Sequence, residues 1–297
     1  MKYKKIKILA FLLAITVYSW GQKTTFQVVT KTIEETNNWS YKQTLEINGE
    51  NAIIHISTWD QPKIKTTIEL IAKHPDKEVA EKDLEALQFN ISSQKKRFSI
   101  SNYLSISKSN AKPSSTLKTK MTLIIPKNCP LSVKNNFGSI HIEGLKQRLK
   151  IDSRFTNITI EKLKGPLDIN SHLGEIYGKD INSNLTITSN RSKIYFEQLS
   201  GNIDINAKYG IIQIVEDAAY AYDLNITGDK SNVTILNAKP TLNAYDLKTS
   251  FGSITTHKQN SFNVIMDTDT LKQIHAIPIV STSNISIKLD YGDIVVN

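Results

Sequence analysis

Cysteine is nearly absent from this sequence, since Cys129 is the only one in 297 residues. A single thiol cannot form an intramolecular disulfide, and Cys129 lies too far from the N-terminus to be the lipidated residue of a lipoprotein. Long apolar runs are also scarce. The main one, Ile8–Val17, has about half of the roughly 20 residues that a membrane-spanning helix needs. The fold must therefore be held together by its own hydrophobic core.

Motifs for catalysis and cofactor binding are missing as well. The sequence has neither the Gly-x-Ser-x-Gly motif of hydrolases nor a phosphate-binding P-loop. Its histidines occur neither in i, i+4 pairs nor beside cysteines, the spacings typical of zinc sites. They are His55, His74, His141, His172, His257 and His275. The sequence therefore predicts no cofactor, no metal ion and no enzyme activity.

Charge is not concentrated in any part of the mature sequence. The formal net charge is +9, but four lysines lie in the first seven residues. Without them, 33 Lys and Arg residues stand against 28 Asp and Glu residues, a net charge of +5. No dense basic run with interleaved aromatic residues occurs, so nucleic acid is not expected as a partner. The remaining charge is a weak attraction to anionic glycans or lipid headgroups.

The N-terminal residues have the three parts of a signal peptide. A positive segment between Lys2 and Lys7 precedes the apolar run, and Ser19-Trp20-Gly21 places small residues at the −3 and −1 positions of a cleavage site. We expect residues 1–21 to be a signal peptide and the protein to be exported to the periplasm or the cell surface. An uncleaved N-terminal anchor is the alternative. No membrane span is expected after cleavage.

The most prominent feature of the sequence is an internal repeat. A small residue, which we call the anchor, is followed two positions later by Ile or Val. The anchors are Gly138, Thr156, Gly174, Ser192, Gly210, Ser231, Gly252 and Gly292. The intervals between them are 18, 18, 18, 18, 21, 21 and 40 residues, the last close to two periods. Apolar residues also recur seven and five positions before each anchor, which indicates an internal repeat.

The alternation of apolar and polar residues within each repeat is typical of a strand with one buried face. Each repeat is too short to bury its apolar side alone, so we expect successive repeats to stack as parallel strands. The predicted fold is all-β, a parallel β-solenoid of about nine coils of 18–21 residues. One interior column of this solenoid would contain Ile151, Ile169, Ile187 and Ile205.

Another copy of the repeat lies near the start of the chain, with Ala52 as its anchor. The segment that follows has a different rhythm and is predicted to be an α+β insertion. The predicted organisation is a signal peptide at 1–21, N-terminal strands and the first coil at 22–60, the strand–helix–strand insertion at 61–130, and the main solenoid at 131–297. We expect the insertion to cover an edge of the stack, which would otherwise promote aggregation.

Within the insertion, Pro75 and Asp76 open one short helix. Its apolar stripe would contain Ala80, Leu84 and Leu87. The polar segment 108–120 is predicted to be a loop.

The N-terminal copy and the later coils resemble a family of Bacteroidetes envelope proteins known as "putative adhesins", whose function is unknown. The resemblance rests on Leu45–Gly49, Ile54–Asp60, the helical insertion after them, and the Phe-Gly-Ser-Ile motifs at Phe137–Ile140 and Phe251–Ile254. It covers residues 43–297. The resemblance implies a secreted, non-enzymatic β-solenoid, and it identifies no catalytic residues.

Four outward residues are the candidate ligand contacts. Tyr177 and Tyr195 each follow an anchor by three positions, which places them on adjacent coils about 4.8 Å apart. Together with His141 and Gln213 above and below, they are placed to form a platform for sugar rings. The alternative is a cross-strand pair that only stabilises the sheet.

A second column, directly before the anchors, is rich in aromatic residues. We expect it to cap a corner of the solenoid. Its members are Phe137, Phe155, Leu173, Tyr209, Phe251 and Tyr291.

Three functions are compatible with this sequence. The first is a non-catalytic envelope protein, an adhesin or binding module that presents its surface to an envelope glycan or protein. The second is a structural scaffold that associates with itself. The third is a β-helix enzyme acting on polysaccharides, for which Asp152, Asp168 and Asp204 are the outward carboxylates. A solvated polar face explains the same three residues without catalysis.

Overall fold

The structure, a computed structural model, describes residues 25–105, 112–257 and 261–297. The predicted signal peptide at 1–21 therefore lies outside the described residues. The described chain is all-β apart from one helix, and its strands form one 19-stranded sheet that is mostly parallel and not closed.

The first nine strands are β1 (Gln27–Asn38), β2 (Thr44–Trp59), β3 (Lys63–His74), β4 (Leu87–Ser93), β5 (Arg97–Leu104), β6 (Thr116–Pro126), β7 (Leu131–Glu143), β8 (Leu149–Leu163) and β9 (Leu167–Asn182). The others are β10 (Leu185–Lys208), β11 (Ile211–Val215), β12 (Tyr222–Asp229), β13 (Asn232–Leu236), β14 (Ala244–Ser250), β15 (Ile254–Thr256), β16 (Asn263–Asp267), β17 (Leu271–Ala276), β18 (Asn284–Asp290) and β19 (Ile294–Val296). The helix, α1, is Lys77–Leu84.

Strands β7 to β10 form the regular part of the sheet. They pair in parallel at a constant offset of 18 residues, so that each strand lies beside its own copy one repeat away. Successive register partners are Leu131, Leu149, Leu167 and Leu185. The prediction that repeats pair as parallel strands in matching register is confirmed.

The predicted interior columns are buried. Ile151, Ile169, Ile187 and Ile205 are each at most 3% exposed, so the column proposed from the repeat faces the core. Ile254 is the exception among the residues two positions after an anchor, because it is only half-buried. It lies at the end of the stack, where β15 pairs with β19 on one side.

The N-terminal copy stacks where the repeat predicts. β2 pairs in parallel with β7, with Leu45 opposite Leu131 and Ile54 opposite Ile140. On its other side, β2 pairs in parallel with β5 and β6 from the insertion. β3 then pairs antiparallel with β6, and β4 pairs antiparallel with β5. The insertion thus occupies the edge of β2 that would otherwise be free.

The helix of the insertion is shorter than predicted. Asp76 caps it, because its Oδ1 accepts a hydrogen bond from the backbone N–H of Glu78 (2.8 Å), and α1 buries Ala80. Leu87, expected on the helix, is instead the first residue of β4. The reason is that Leu87 begins an alternating segment, which pairs antiparallel with β5.

The predicted loop at 108–120 ends earlier than expected. β6 begins at Thr116, and its first residues pair antiparallel with β3. The start of this strand is not evident from the sequence, because the residues of its solvent-exposed face are polar. Residues 106–111 lie outside the described residues.

The last copies of the repeat do not stack in chain order. β18 pairs in parallel with both β12 and β14, so the final copy lies between the two preceding ones. The intervening chain forms the antiparallel pair β16–β17, and β17 pairs antiparallel with β14. The 40-residue interval before Gly292 is therefore a hairpin and a returning strand rather than two regular coils. The repeat cannot predict this order, because every copy has the same apolar columns and can pair with any other.

The residue directly before each anchor has left-handed backbone. Phe137 and Phe155 have φ values of 61° and 50°. The anchors Gly138 and Gly174 are also left-handed, with φ of 136° and 150°, and a Cβ on Gly138 would lie 2.0 Å from the carbonyl oxygen of Ala52. Glycine is needed at such an anchor, because any side chain would collide with the neighbouring strand.

A buried carboxylate ties the loop after β11 to the C-terminal copies. Glu216 is almost fully buried. Its carboxylate accepts hydrogen bonds from the Tyr245 hydroxyl (2.5 Å), the Asn243 side-chain amide (2.8 Å) and the Lys239 backbone N–H (3.1 Å). Burial raises the pKa of Glu216, and these donors oppose the rise. The folded chain therefore holds this proton more tightly than the unfolded chain does.

We expect Glu216 to make the free energy of unfolding fall as the pH rises. Its contribution is fully present below the ordinary pKa of 4.5 and is lost as the pH passes through the raised pKa of the folded state. Glu216→Gln removes this dependence, because an amide does not titrate. Guanidinium unfolding of both proteins between about pH 4.5 and 8 measures the difference in slope. The exposed Glu175→Gln is the matched control, and an unchanged slope in Glu216→Gln would contradict the assignment.

Candidate ligand-binding surface

The four predicted contact residues lie in one outward column of the parallel sheet, which we call the tyrosine column. Its members, in order of register, are His55, His141, Thr159, Tyr177, Tyr195 and Gln213. Tyr195 has Tyr177 and Gln213 as direct neighbours, whereas Thr159 separates His141 from Tyr177. The structure thus brings three of the predicted residues together and leaves His141 one strand further along.

Tyr177 and Tyr195 stack on each other. Their ring centroids are 5.5 Å apart and their planes differ by 7°, a geometry that aromatic pairs prefer when the rings are offset. Because each ring covers one face of the other, the faces that remain point along the column, toward Thr159 and toward Gln213. The neighbour of Tyr177 on that side is the smaller Thr159 side chain.

A carboxylate and an ammonium group hold the hydroxyl end of this pair. The Tyr177 hydroxyl donates a hydrogen bond to Glu197 (2.9 Å), and Lys179 Nζ lies 2.8 Å from the same carboxylate oxygen. The bonds from Lys179 and Tyr177 keep the pKa of Glu197 below its ordinary value. Burial and the adjacent Glu197 raise the pKa of both tyrosines. At neutral pH the surface therefore offers neutral phenols beside an ionised carboxylate.

Potential metal ligands lie at the other end of the tyrosine column. One nitrogen of His141 and one carboxylate oxygen each of Glu143 and Glu161 all lie within 4.8 Å of one another. The ring of His55 is 5.8 Å from that of His141. His141 and Glu143 lie on β7, and the pairing of β7 with β2 and β8 brings His55 and Glu161 beside them, so zinc-motif spacing did not predict this group.

The aromatic column before the anchors forms two stacked pairs. Phe137 and Phe155 have ring centroids 4.9 Å apart, as do Phe251 and Tyr291. All four are about half exposed and have positive φ, which is uncommon for bulky residues. The rings of this column therefore stack in pairs on neighbouring strands.

Two cations in this column were not predicted. The Arg191 guanidinium lies 4.9 Å from the centroid of the Tyr209 ring, and Lys230 Nζ lies 5.5 Å from the same ring and 5.9 Å from that of Tyr291. Cation–π attraction thus continues the stack where an aromatic residue is missing.

None of the three carboxylates considered for polysaccharide cleavage is the register partner of another. Asp168 has Lys150 as a register partner and lies 3.7 Å from an Arg148 nitrogen. Asp152 lies opposite Asn170. Asp204 accepts a hydrogen bond from the Asn225 amide (3.2 Å).

The fold is similar to those of several crystallised bacterial proteins whose sequence identity to this chain is low. A "putative adhesin" from Bacteroides fragilis is 14% identical, with a TM-score of 0.45, over 90% of this chain and 97% of that one. A "putative lipid binding protein" from Parabacteroides distasonis is 12% identical, with a TM-score of 0.41, over 91% and 97%. A "putative cell adhesion protein" from Clostridium sporogenes is 10% identical, with a TM-score of 0.32, over 90% and 99%.

No protein-family model and no curated protein matches the chain. Similarity at the level of these crystal structures assigns neither a family nor a ligand. In the part of the chain that the structure describes, no helix has the length and apolar character needed to cross a membrane.

Proposed function

We propose that this chain is an exported, non-catalytic binding protein of the bacterial envelope, related to the adhesin family that its sequence resembles. In this proposal the parallel stack is a β-solenoid, and the tyrosine column binds a glycan. The signal-peptide pattern at residues 1–21 supports export. The single observation that supports the site is the stacked pair Tyr177–Tyr195 on an outward face, with its hydroxyl end held by Glu197.

The groups around this pair suit a sugar. An open aromatic face stacks on the apolar C–H side of a sugar ring, and polar groups at its edge orient the ring. Here the Tyr177 ring supplies the face toward Thr159, and Glu197 and Lys179 supply an acceptor and a donor for sugar hydroxyls. Because these groups already hydrogen-bond to one another, their positions are set before a ligand arrives, which lowers the entropy cost of binding.

The double substitution Tyr177→Ser with Tyr195→Ser tests the site. We expect the protein to stay folded, because both residues point outward, although loss of the stacked pair should lower the free energy of unfolding by about 1–2 kcal/mol. Glycan binding should weaken at least about tenfold, because both ring faces are lost. A glycan array followed by titration of the best ligand measures the effect.

The matched control is Tyr41→Ser with Tyr103→Ser, which removes two exposed tyrosines away from the column. It should bind as the wild type does. If the column variant is folded and binds unchanged, the pair belongs to the ordinary cross-strand contacts of the sheet. Binding of an envelope protein instead of any glycan would identify a protein partner for the same surface.

A self-associating envelope scaffold is the second candidate, favoured by the C-terminal end of the sheet. There β16 exposes Val264, Ile265 and Met266, and among the described residues only β17 pairs with it. An apolar strand with a free edge favours pairing with another chain. Light scattering at increasing protein concentration separates the two candidates, because the scaffold requires oligomers and the glycan-binding protein does not.

A further inference from the structure

We propose that His141, Glu143 and Glu161, joined by His55, form a binding site for a divalent transition-metal ion such as Zn²⁺. The site shares His55 and His141 with the tyrosine column, but it needs no contact from Tyr177 or Tyr195, because its side chains come from β2, β7 and β8. No metal-binding motif in the sequence indicates it, and the pairing of these three strands brings its side chains together.

The strand register places the four side chains on one side of the sheet. His141 and Glu143 are two residues apart on β7, so both point outward. Glu161 on β8 is the register partner of Glu143, and His55 on β2 is the register partner of His141. Three neighbouring strands therefore supply two imidazoles and two carboxylates to one patch.

The distances require only a small adjustment of side chains. One potential ligand atom from each of His141, Glu143 and Glu161 lies within 4.8 Å of the other two. Zinc bonds to nitrogen and oxygen are about 2.0–2.2 Å long, which places ligand atoms around a tetrahedral ion roughly 3.4 Å apart. Rotation about the glutamate side-chain bonds is sufficient to cover this difference.

The donor set indicates the class of ion. Imidazole together with carboxylate suits Zn²⁺ and Cu²⁺, whereas Ca²⁺ and Mg²⁺ prefer oxygen ligands alone. The charges of Glu143 and Glu161 offset the charge of a divalent ion.

A metal ion at this site would compete with Lys162 for the Glu143 carboxylate. Its Nζ lies 2.7 Å from a Glu143 oxygen, and its side chain is 63% exposed. Because an exposed lysine pair contributes little to stability, a divalent ion held by several ligands can displace the ammonium group.

Titration calorimetry of the tag-free protein with zinc sulfate tests the site. We expect one ion to bind per chain. His141→Ala and Glu161→Gln should each weaken zinc binding at least about tenfold, whereas Lys162→Gln should strengthen it by removing the competing ammonium group.

Two matched controls change the same residue types elsewhere in the sheet. His275→Ala and Glu175→Gln should bind zinc as the wild type does. Circular dichroism of each variant establishes that it is folded, and if one ligand variant fails to fold, the other and Lys162→Gln decide. No zinc binding up to about 1 mM in the wild type, or equal affinity in folded His141→Ala and Glu161→Gln, would overturn the proposal.

Discussion

Replacing Ile187 with aspartate is expected to leave no folded protein. Ile187 is fully buried, and its register partner is Ile169 in the same interior column. A buried, unpaired carboxylate costs several kcal/mol, which is comparable to the whole stability of a typical domain, about 5–15 kcal/mol. Because each copy buries its apolar face against its neighbours, the loss should spread along the stack. Circular dichroism and limited proteolysis of the variant measure the result.

Thr188→Asp is the control for this substitution. Thr188 is the next residue of the same strand, is exposed and lies opposite Asn170. The Thr188→Asp variant should unfold with a midpoint close to that of the wild type, because an outward charge remains in water. A cooperative transition near the wild-type midpoint for Ile187→Asp would mean that the side chain is not in the core, and the interior column would be wrong.

The second large effect is expected at Gly178. Its neighbour across the strand pair is Phe196, which is fully buried, and a Cβ on Gly178 would lie 2.0 Å from the Phe196 ring. The same interior column contains Ile160 and Ile214 on the flanking strands. Glycine and phenylalanine thus share the volume that two isoleucines fill elsewhere, so Gly178→Ile should overpack the core by about 3 kcal/mol.

A double-mutant cycle measures this sharing of volume. Phe196→Ile alone should leave a cavity and cost about 1–3 kcal/mol. In the double variant Gly178→Ile with Phe196→Ile, the added side chain occupies the vacated space. Its loss in free energy of unfolding should therefore be about 2–3 kcal/mol smaller than the sum of the losses in the two single variants. Chemical unfolding of the four proteins gives the coupling energy.

The control cycle uses Ile160→Val and Ile214→Val, which lie in the same column but are separated by the Gly178 and Phe196 strands. Their effects should add, because the two side chains do not touch. Additive effects for Gly178→Ile and Phe196→Ile as well would show that the two positions do not compete for one space.

The stacking of Tyr177 on Tyr195 was predictable because the repeat interval and the strand register are the same number of residues. The meeting of His55 and His141 had the same signal, since each follows its anchor, Ala52 or Gly138, by three positions. It was not predicted because the insertion separates these copies in the chain. The chain returns to the edge of β2 after the insertion, so the two copies pair directly.

The backbone conformation before each anchor could not be predicted from the sequence. Bulky residues such as Phe137 and Phe155 have left-handed backbone there, although a preference for glycine would be expected at such φ values. The stacked rings and the closely packed strands hold these residues in that conformation. Local propensity cannot reveal it, because the contacts come from neighbouring strands.

By itself the sequence determined which side chains face the core and which share an outward column. The alternation of apolar and polar residues is a property of each short segment, and the 18-residue interval from Gly138 to Gly210 relates equivalent positions, so the sequence alone shows both. Only the tertiary structure decided the order of the C-terminal copies and the distances among the His141, Glu143 and Glu161 side chains. Copies with identical apolar columns pair equally well in several orders, and the choice among them depends on where the connecting segments, such as the β16–β17 hairpin, can pack.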